Sequence, residues 1–337
     1  MGNLITFTSS GLYVERADCY IDPWQPVKKA IITHAHADHA YAGHQHYLSH
    51  HLSEPVLRLR LGNDINLQTV RYRESVTMNG VSFTLYPAGH IIGSSQVAVS
   101  YKGETWVVSG DYKLSEDALC TPFEPVQCTT FITESTFGLP IYKWPDQQQV
   151  MNDINNWWAK NREEGKTSVI FSYTLGKAQR ILHNLDTRIG YIYMHGAVKN
   201  MNDVLVDAGH DLPNGIRVTN DIPRKNYQGN IVVAPPSALG STWLRKFQPF
   251  TTAIASGWMS IRGARRRRAV DRGFVLSDHA DWQELNRAVR DTGAEKVYAT
   301  HGYAAAFSKW LNEQGIHSED IETAYEGELA EINEATQ

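Results

Sequence analysis

Four side chains able to bind a divalent cation fall within six residues, in the run His34-Ala35-His36-Ala37-Asp38-His39. In an extended chain His34 and His36 point the same way, and Asp38 and His39 follow on a tightening loop. Neutral imidazole and carboxylate are the ligands that zinc, manganese or iron take, and four so close together can serve two ions. An ion with an open coordination position activates water, so this spacing points to metal-assisted hydrolysis. A single His-x-His pair is as easily a polar helix entrance; the denser run behind an apolar stretch is not.

More ligand types recur far along the chain. His90 stands in Ala88-Gly89-His90-Ile91-Ile92-Gly93, Asp111 in Ser109-Gly110-Asp111, and His301 before Gly302. Glycines beside each would let the backbone approach a crowded site. Taken singly, each is an ordinary core or turn residue; three at equivalent strand ends beside the dense motif read as ligands. His44, His46, His50 and His51 follow once the ligand positions are filled, and are expected at the surface on and after the next helix. His183, His195, His210 and His317 take no role.

Delivering these groups to one place calls for strands. Lys29–Thr33 runs into His34, Val81–Tyr86 towards His90, and Thr105–Val108 towards Asp111; Gly273–Leu276 leads to Ser277-Asp278-His279, and Lys296–Thr300 to His301. Each short, β-branched run reads as a buried strand ending at a polar group. From about Gly138 to Ala255 the texture changes. Strands at Ser168–Phe171, Tyr191–Met194 and Ile231–Ala234 alternate with helical segments such as Gly176–Leu185, which predicts a small inserted parallel α/β unit.

The bulk numbers bound the answer. At 337 residues, with 42% hydrophobic and 20% charged, the chain is one large domain or two intimately joined ones. Residues 1–20 include Glu15, Arg16 and Asp18, and no later run reaches 18 apolar residues, which argues against export and membrane insertion. Cys19, Cys120 and Cys128 are too scattered for a disulfide framework, as suits a reducing cytoplasm. A net charge of −4 argues against nucleic-acid binding over the whole surface but says little about a local basic patch.

The ordered set Asp22, His34-x-His36-x-Asp38-His39, His90, Asp111 and His301 resembles the metallo-β-lactamase superfamily over almost the whole chain. That resemblance implies an α/β fold, the αββα sandwich, with two divalent ions, zinc or manganese. One ion would take His34, His36 and His90, the other Asp38, His39 and His301, with Asp111 bridging. Asp22 would orient ligands and the attacking hydroxide. Thr133-Glu134-Ser135-Thr136-Phe137-Gly138 resembles the acidic first motif of the β-CASP nucleases, Ser277-Asp278-His279-Ala280-Asp281 their second, and His301-Gly302 their third. The implied domains are 1–138, a small α/β β-CASP-like cap over 139–255, and 256–337 completing the first.

Within that group the chain is similar to the small bacterial ligase-associated DNA exonucleases in length, motif order and short cap. Pro87–Ser94 and Thr133–Thr136 also resemble the pre-mRNA 3′-end endonucleases, and Ser172–Lys177 and Ser256-Gly257-Trp258 the DNA cross-link repair exonucleases. The implied function is a two-metal phosphodiesterase: a DNA exonuclease of repair acting on 5′ ends of single strands. A ribonuclease on the same scaffold, or a small-molecule thioester or lactam hydrolase, are the alternatives. The catalytic set is Asp38, Asp22, Glu134 and His279, with His279 binding the scissile phosphate or assisting the departing oxygen and Glu134 supporting it.

Substrate contacts are expected from three stretches. Ser172, Tyr173, Gly176 and Lys177 form a strand end leading into a helix, a phosphate cradle. Ser237 sits in a second loop, and Arg262 and Arg265 open a dense basic run suited to phosphates. Trp258 either stacks a base or is a core residue. The expected partners are nucleic acid, DNA over RNA, and a DNA ligase or helicase of the same pathway, with no membrane.

Overall fold

The protein is described here by a computed structural model covering residues 3–261 and 270–323. It divides into two compact units, one made of the described residues up to Tyr142 and from His279 onward, the other of the described residues from Lys143 to Asp278.

The first unit holds two mixed sheets. Six strands lie in chain order in one sheet: Thr6–Thr8, Gly11–Val14, Cys19–Ile21, Lys29–Ile31, His46–His50 and Leu67–Val70. The other has seven, in the order His317–Asp320, Lys296–Thr300, Thr130–Glu134, Glu104–Val108, Ser95–Tyr101, Val81–Pro87 and Ser75–Met78. Strict alternation of buried and half-buried residues along Val81–Pro87 marks a strand with one face in a core. That core is shared: Leu12, Ile21, Ile31 and Leu48 of one sheet meet Phe83, Leu85, Val97 and Ile132 of the other.

Helices Trp282–Thr292 and Ala304–Glu313 cover the far face of the seven-stranded sheet, setting Leu285, Val289, Phe307 and Leu311 against Val107, Phe131 and Val297. The first begins in a capping box, in which Asp281 accepts from the N–H groups of Gln283 and Glu284, and it stops at Gly293 with φ 62°. Parallel pairing of Glu104–Val108, Thr130–Glu134 and Lys296–Thr300 has a direct consequence for the site. It sets Glu134 beside Thr300 and brings the segments after all three strands out on the same edge.

One expectation fails here. No helix follows the dense motif directly; His46–His50 is a strand paired on both sides, and a 3-10 turn at His51–Ser53 leads from it into the first α-helix, Glu54–Leu61. Double pairing takes the segment inside, so His50 is 1% exposed and His44 is buried too, while His46 and His51 are exposed as expected.

Among the described residues the second unit holds a six-stranded parallel sheet in the order Ile216–Arg217, Ile192–Met194, Ile231–Ala234, Thr167–Phe171, Phe250–Ala255 and Arg272–Phe274. Helix Gln147–Glu163 places Val150, Ile154, Trp157 and Trp158 on one stripe against it, and helix Lys177–Asn184 adds Ala178, Ile181 and Leu182. This unit runs beyond the expected end at 255. Strand Arg272–Phe274 pairs with Phe250–Ala255, and Phe274 and Leu276 enter the same core, carrying it to Asp278. Among the described residues no helix is long and apolar enough to cross a membrane. Cys19, Cys120 and Cys128 are free thiols.

Candidate metal centre

Strand ends from both sheets of the first unit converge on the candidate ligands, and two glycines permit it. A Cβ on Gly110 would fall 2.7 Å from the Thr33 side chain, and one on Gly302 would fall 2.5 Å from the Thr136 Cα. Gly110 therefore lets the segment bearing Asp111 lie directly on the one bearing His34. Asp22 and His301 hold left-handed backbones with φ 43° and 58°, conformations that non-glycine residues adopt at a cost and that cluster at functional sites.

Among the described residues the candidate ligands form four overlapping groups; three share the Asp111 carboxylate, and two of those three carry more than one histidine. Ligand atoms of His34, His36, His90 and Asp111 lie within 4.8 Å of one another, as do those of His39, Asp111 and His301. Asp111 Oδ2 is 3.5 Å from Nε2 of both His34 and His39 and 3.8 Å from Nε2 of His90; its Oδ1 is 4.0 Å from Nε2 of His301. His36 Nδ1 is 3.1 Å from His34 Nε2 and 3.0 Å from His90 Nε2. Asp38 stands at the rim, its Oδ2 3.9 Å from His39 Nε2 and its side chain 19% exposed.

This arrangement fits a pair of divalent ions. Asp111 Oδ1 is buried without a hydrogen-bond partner among the described residues, and three imidazole nitrogens crowd together where few protons can sit. A bound cation satisfies both conditions.

Hydroxyls set the direction in which two of the rings face. The Thr33 hydroxyl donates to Asp22 Oδ2 at 2.5 Å and lies 3.0 Å from His34 Nδ1. The Thr300 hydroxyl donates to the Thr133 carbonyl at 3.1 Å and lies 2.8 Å from His301 Nδ1. A hydroxyl has one proton to give, so each threonine accepts from the imidazole Nδ1–H, which leaves Nε2 as the lone-pair nitrogen turned to Asp111. His39 Nδ1 is fixed likewise, 2.7 Å from Asp22 Oδ2. The roles of Thr33 and Thr300 were missed in the sequence, although a Thr-His dipeptide at two strand ends was there to be seen.

Burial shapes the charge states. It drives His34 and His301 well below the ordinary histidine range, with neighbouring histidines adding to the effect, as neutral metal ligands require. For His39 burial pulls the same way but is outweighed by Asp111, Asp38 and Asp22, which raise it to about 10. Burial lifts Asp111 to about 7 against the pull of His39, with Glu134 helping.

Glu134 and His279 form the remaining piece. The Glu134 carboxylate is fully buried, accepts the Tyr112 N–H at 2.7 Å and faces His279 Nδ1 at 2.9 and 3.2 Å. His279 Nδ1 is 4.0 Å from Asp111 Oδ2, and the Phe137 ring closes one side at 6.0 Å. Asp22, Glu134 and His279 thus fall into overlapping groups with His34, His36, His39, His90, Asp111 and His301, whereas Asp38 stands beside His39 outside those groups.

The expected substrate contacts belong to the second unit. Its cradle differs from expectation in two ways. Gly176, the helix N-cap, gives its N–H to Gln179 Oε1 at 2.8 Å, because Gln179 at the third helical position reaches back. Lys177 is 1% exposed, and its ammonium faces Asp278 at 3.4 Å and the Tyr173 ring at 5.1 Å, with Arg180 bound to the same carboxylate. Ser172 Oγ is buried without a hydrogen-bond partner among the described residues, Tyr173 is half-buried, and Ser237 is exposed. Trp258 is buried, at 8% exposure. Arg262 and Arg265 lie outside the described residues.

No family model matches the chain. Its relatives include a protein named Probable DNA ligase from Opitutus terrae, 30% identical over 92% of this chain and 30% of that protein. RNase aCSPSF2 of Saccharolobus solfataricus is 28% identical over 42% of this chain and 29% of its own length. Endoribonuclease YSH1 of Yarrowia lipolytica is 29% identical over 36% and 14%. The chain thus spans less than a third of these curated relatives. A crystal structure of a protein of unknown function from Enterococcus faecalis shares the fold, with a TM-score of 0.60 at 10% identity over 87% of this chain and 78% of the other. These relatives include proteins named as ribonucleases and one named as a DNA ligase, and this chain is similar to each over part of its length.

Proposed function

We propose that the chain is a metal-dependent nuclease of the β-CASP type, a DNA exonuclease acting in repair on the 5′ ends of single strands. The observation that carries this reading is the double ligand set sharing Asp111, with the Glu134–His279 pair at its side. His34, His36 and His90 would hold one ion and Asp38, His39 and His301 the other, zinc or manganese, with Asp111 between them. Ions bound there would supply an activated water and would offset negative charge on the phosphate.

The chain's own residues do the rest. Asp22, Thr33 and Thr300 keep three imidazoles aimed inward. Glu134 holds His279 by Nδ1, and His279 would bind the scissile phosphate or hand a proton to the departing oxygen. Ser172, Tyr173, Ser237, Arg262 and Arg265 remain the proposed contacts to the strand.

DNA is favoured because the relative matched over 92% of this chain is named a DNA ligase, whereas the ribonucleases match over 42% or less. A DNA ligase, or a helicase of the same pathway, is the proposed protein partner, and the cytoplasm the proposed compartment. The ribonuclease names support a second reading, RNA processing on the same scaffold.

DNA and RNA single strands labelled at either end, incubated with manganese or zinc, separate these readings. The expected result is immediate release of a 5′ label from DNA and gradual shortening of 3′-labelled DNA, with RNA intact. RNA cut in preference to DNA would replace the first reading with the second. No cleavage of either would leave a thioester or lactam hydrolase as the better account.

A further inference from the structure

The charge of this chain is unevenly distributed. Between Arg217 and Gln248 lie Arg217, Arg224, Lys225, Arg245 and Lys246 against Asp221 alone, in a chain whose net charge is −4. Four of the five cations sit on two short 3-10 turns, Arg224–Tyr227 and Thr242–Phe247, which are separate in sequence and packed together in space. Tyr227 and Phe247 meet nearly edge to face with centroids 4.8 Å apart, and Trp243 stands against Phe247 at 4.6 Å.

Inside and outside are sharply divided on these turns. Tyr227, Leu244 and Phe247 are buried, whereas Arg224, Lys225 and Arg245 are exposed and Lys246 is half-buried. The hydrogen bonds that position the cations go to neutral groups: Arg224 donates to the Gln248 carbonyl at 2.5 Å and side chain at 2.8 Å, and Lys246 to Asn220 Oδ1 at 2.8 Å. Arg217 is different, with Asp203 4.0 Å away to offset it, and is left out of the patch. The aromatic anchors therefore hold a platform whose positive charge those contacts do not cancel.

We propose that this platform is a second nucleic-acid contact, which follows the sugar-phosphate backbone of a single strand. The inference rests on the nuclease reading above but uses none of its residues. Several exposed cations on adjacent turns suit a repeating polyanion, because each neutralised phosphate releases condensed counterions; a single phosphate is better held by convergent, buried donors. Half-buried Trp243 beside Arg245 adds the aromatic–basic pairing common in strand-binding surfaces.

Binding of a fluorescent 30-nucleotide single strand to the whole protein, measured by anisotropy in chelator so that nothing is cut, tests the proposal. The variant R224Q/K225Q/R245Q/K246Q is expected to bind about 10 to 100 times more weakly at low salt. Its plot of log affinity against log salt should be shallower by about 2 to 3, at roughly 0.7 per lost phosphate contact. The control K166Q/R188Q removes cations paired with Glu164 and Asp186 and should change the slope little. A thermal midpoint matching the parent confirms that the fourfold variant is folded; if it is not, single charge reversals at Lys225 and Arg245 give the same reading. An unchanged slope in a folded variant overturns the proposal even if the parent cleaves DNA. Unchanged strand binding with lost binding of polyglutamate overturns it in favour of an acidic protein partner. A parent that neither binds nor cuts any strand refutes the nuclease reading as well.

Discussion

The Thr300 hydroxyl accepts from His301 Nδ1 at 2.8 Å while donating its own proton to the Thr133 carbonyl at 3.1 Å. The strand pairing that aligns Thr300 with Glu134 thereby also sets the tautomer of a histidine in the next position. Thr300→Val should lower metal affinity about 10- to 100-fold, the usual cost of losing such a support, and Thr300→Ser should restore it. Titration of the metal-free protein with zinc checks this without recourse to activity; equal affinities for the valine and serine forms would refute the role.

Asp111 is the carboxylate common to three of the four candidate groups. Asp111→Ala and His36→Ala are each expected to abolish cleavage and to lower bound metal, with an unaltered circular dichroism spectrum. Full activity of the parent after exhaustive chelation would contradict the metal assignment.

His279 should behave differently from the ligands. His279→Ala is expected to reduce kcat by about 10²- to 10⁴-fold, the range for loss of an acid–base group, while metal content stays at the parent level. Loss of metal together with rate would make it a ligand instead.

Burial, with the help of His51, holds His50 down at about 3, and burial holds His44 at about 4. In the unfolded chain both titrate near 6.5. Between these values the unfolded state binds protons that the folded state does not, so stability is complete above pH 6.5 and declines as pH falls towards 3. Each group contributes a slope of up to about 1.4 kcal/mol per pH unit. His50→Asn, which keeps an acceptor for the Leu52 N–H, should flatten the decline. Urea unfolding of parent and variant at pH 7 and pH 5, in chelator, gives the comparison.

Asp278 holds two buried cations, Lys177 and Arg180. Asp278→Ala should cost about 3–5 kcal/mol of stability, because it leaves buried charge without its counterion. Denaturant unfolding measures it, and a loss under about 1 kcal/mol would mean that water reaches the pair.

What the sequence determined by itself was the chemistry and its delivery. Imidazole and carboxylate bind metal wherever they stand, the run from His34 to His39 is compact enough to act locally, and short β-branched runs before His90, Asp111 and His301 are strands on local grounds. The parallel inserted unit follows from the same periodicities, and the α/β class of the whole from the resemblance that the motifs carry. Only the tertiary structure decided what depends on distant neighbours. Glu134 and His279 meet across 145 positions because of strand order and a helix cap, and Arg224 and Arg245 share a surface because two turns pack through Tyr227 and Phe247. Lys177 turns to Asp278, Gly176 is capped by Gln179, and His50 is enclosed by pairing on both sides. The environment of each polar group is set by whatever the folded chain places beside it, and one residue's local spacing does not contain that information.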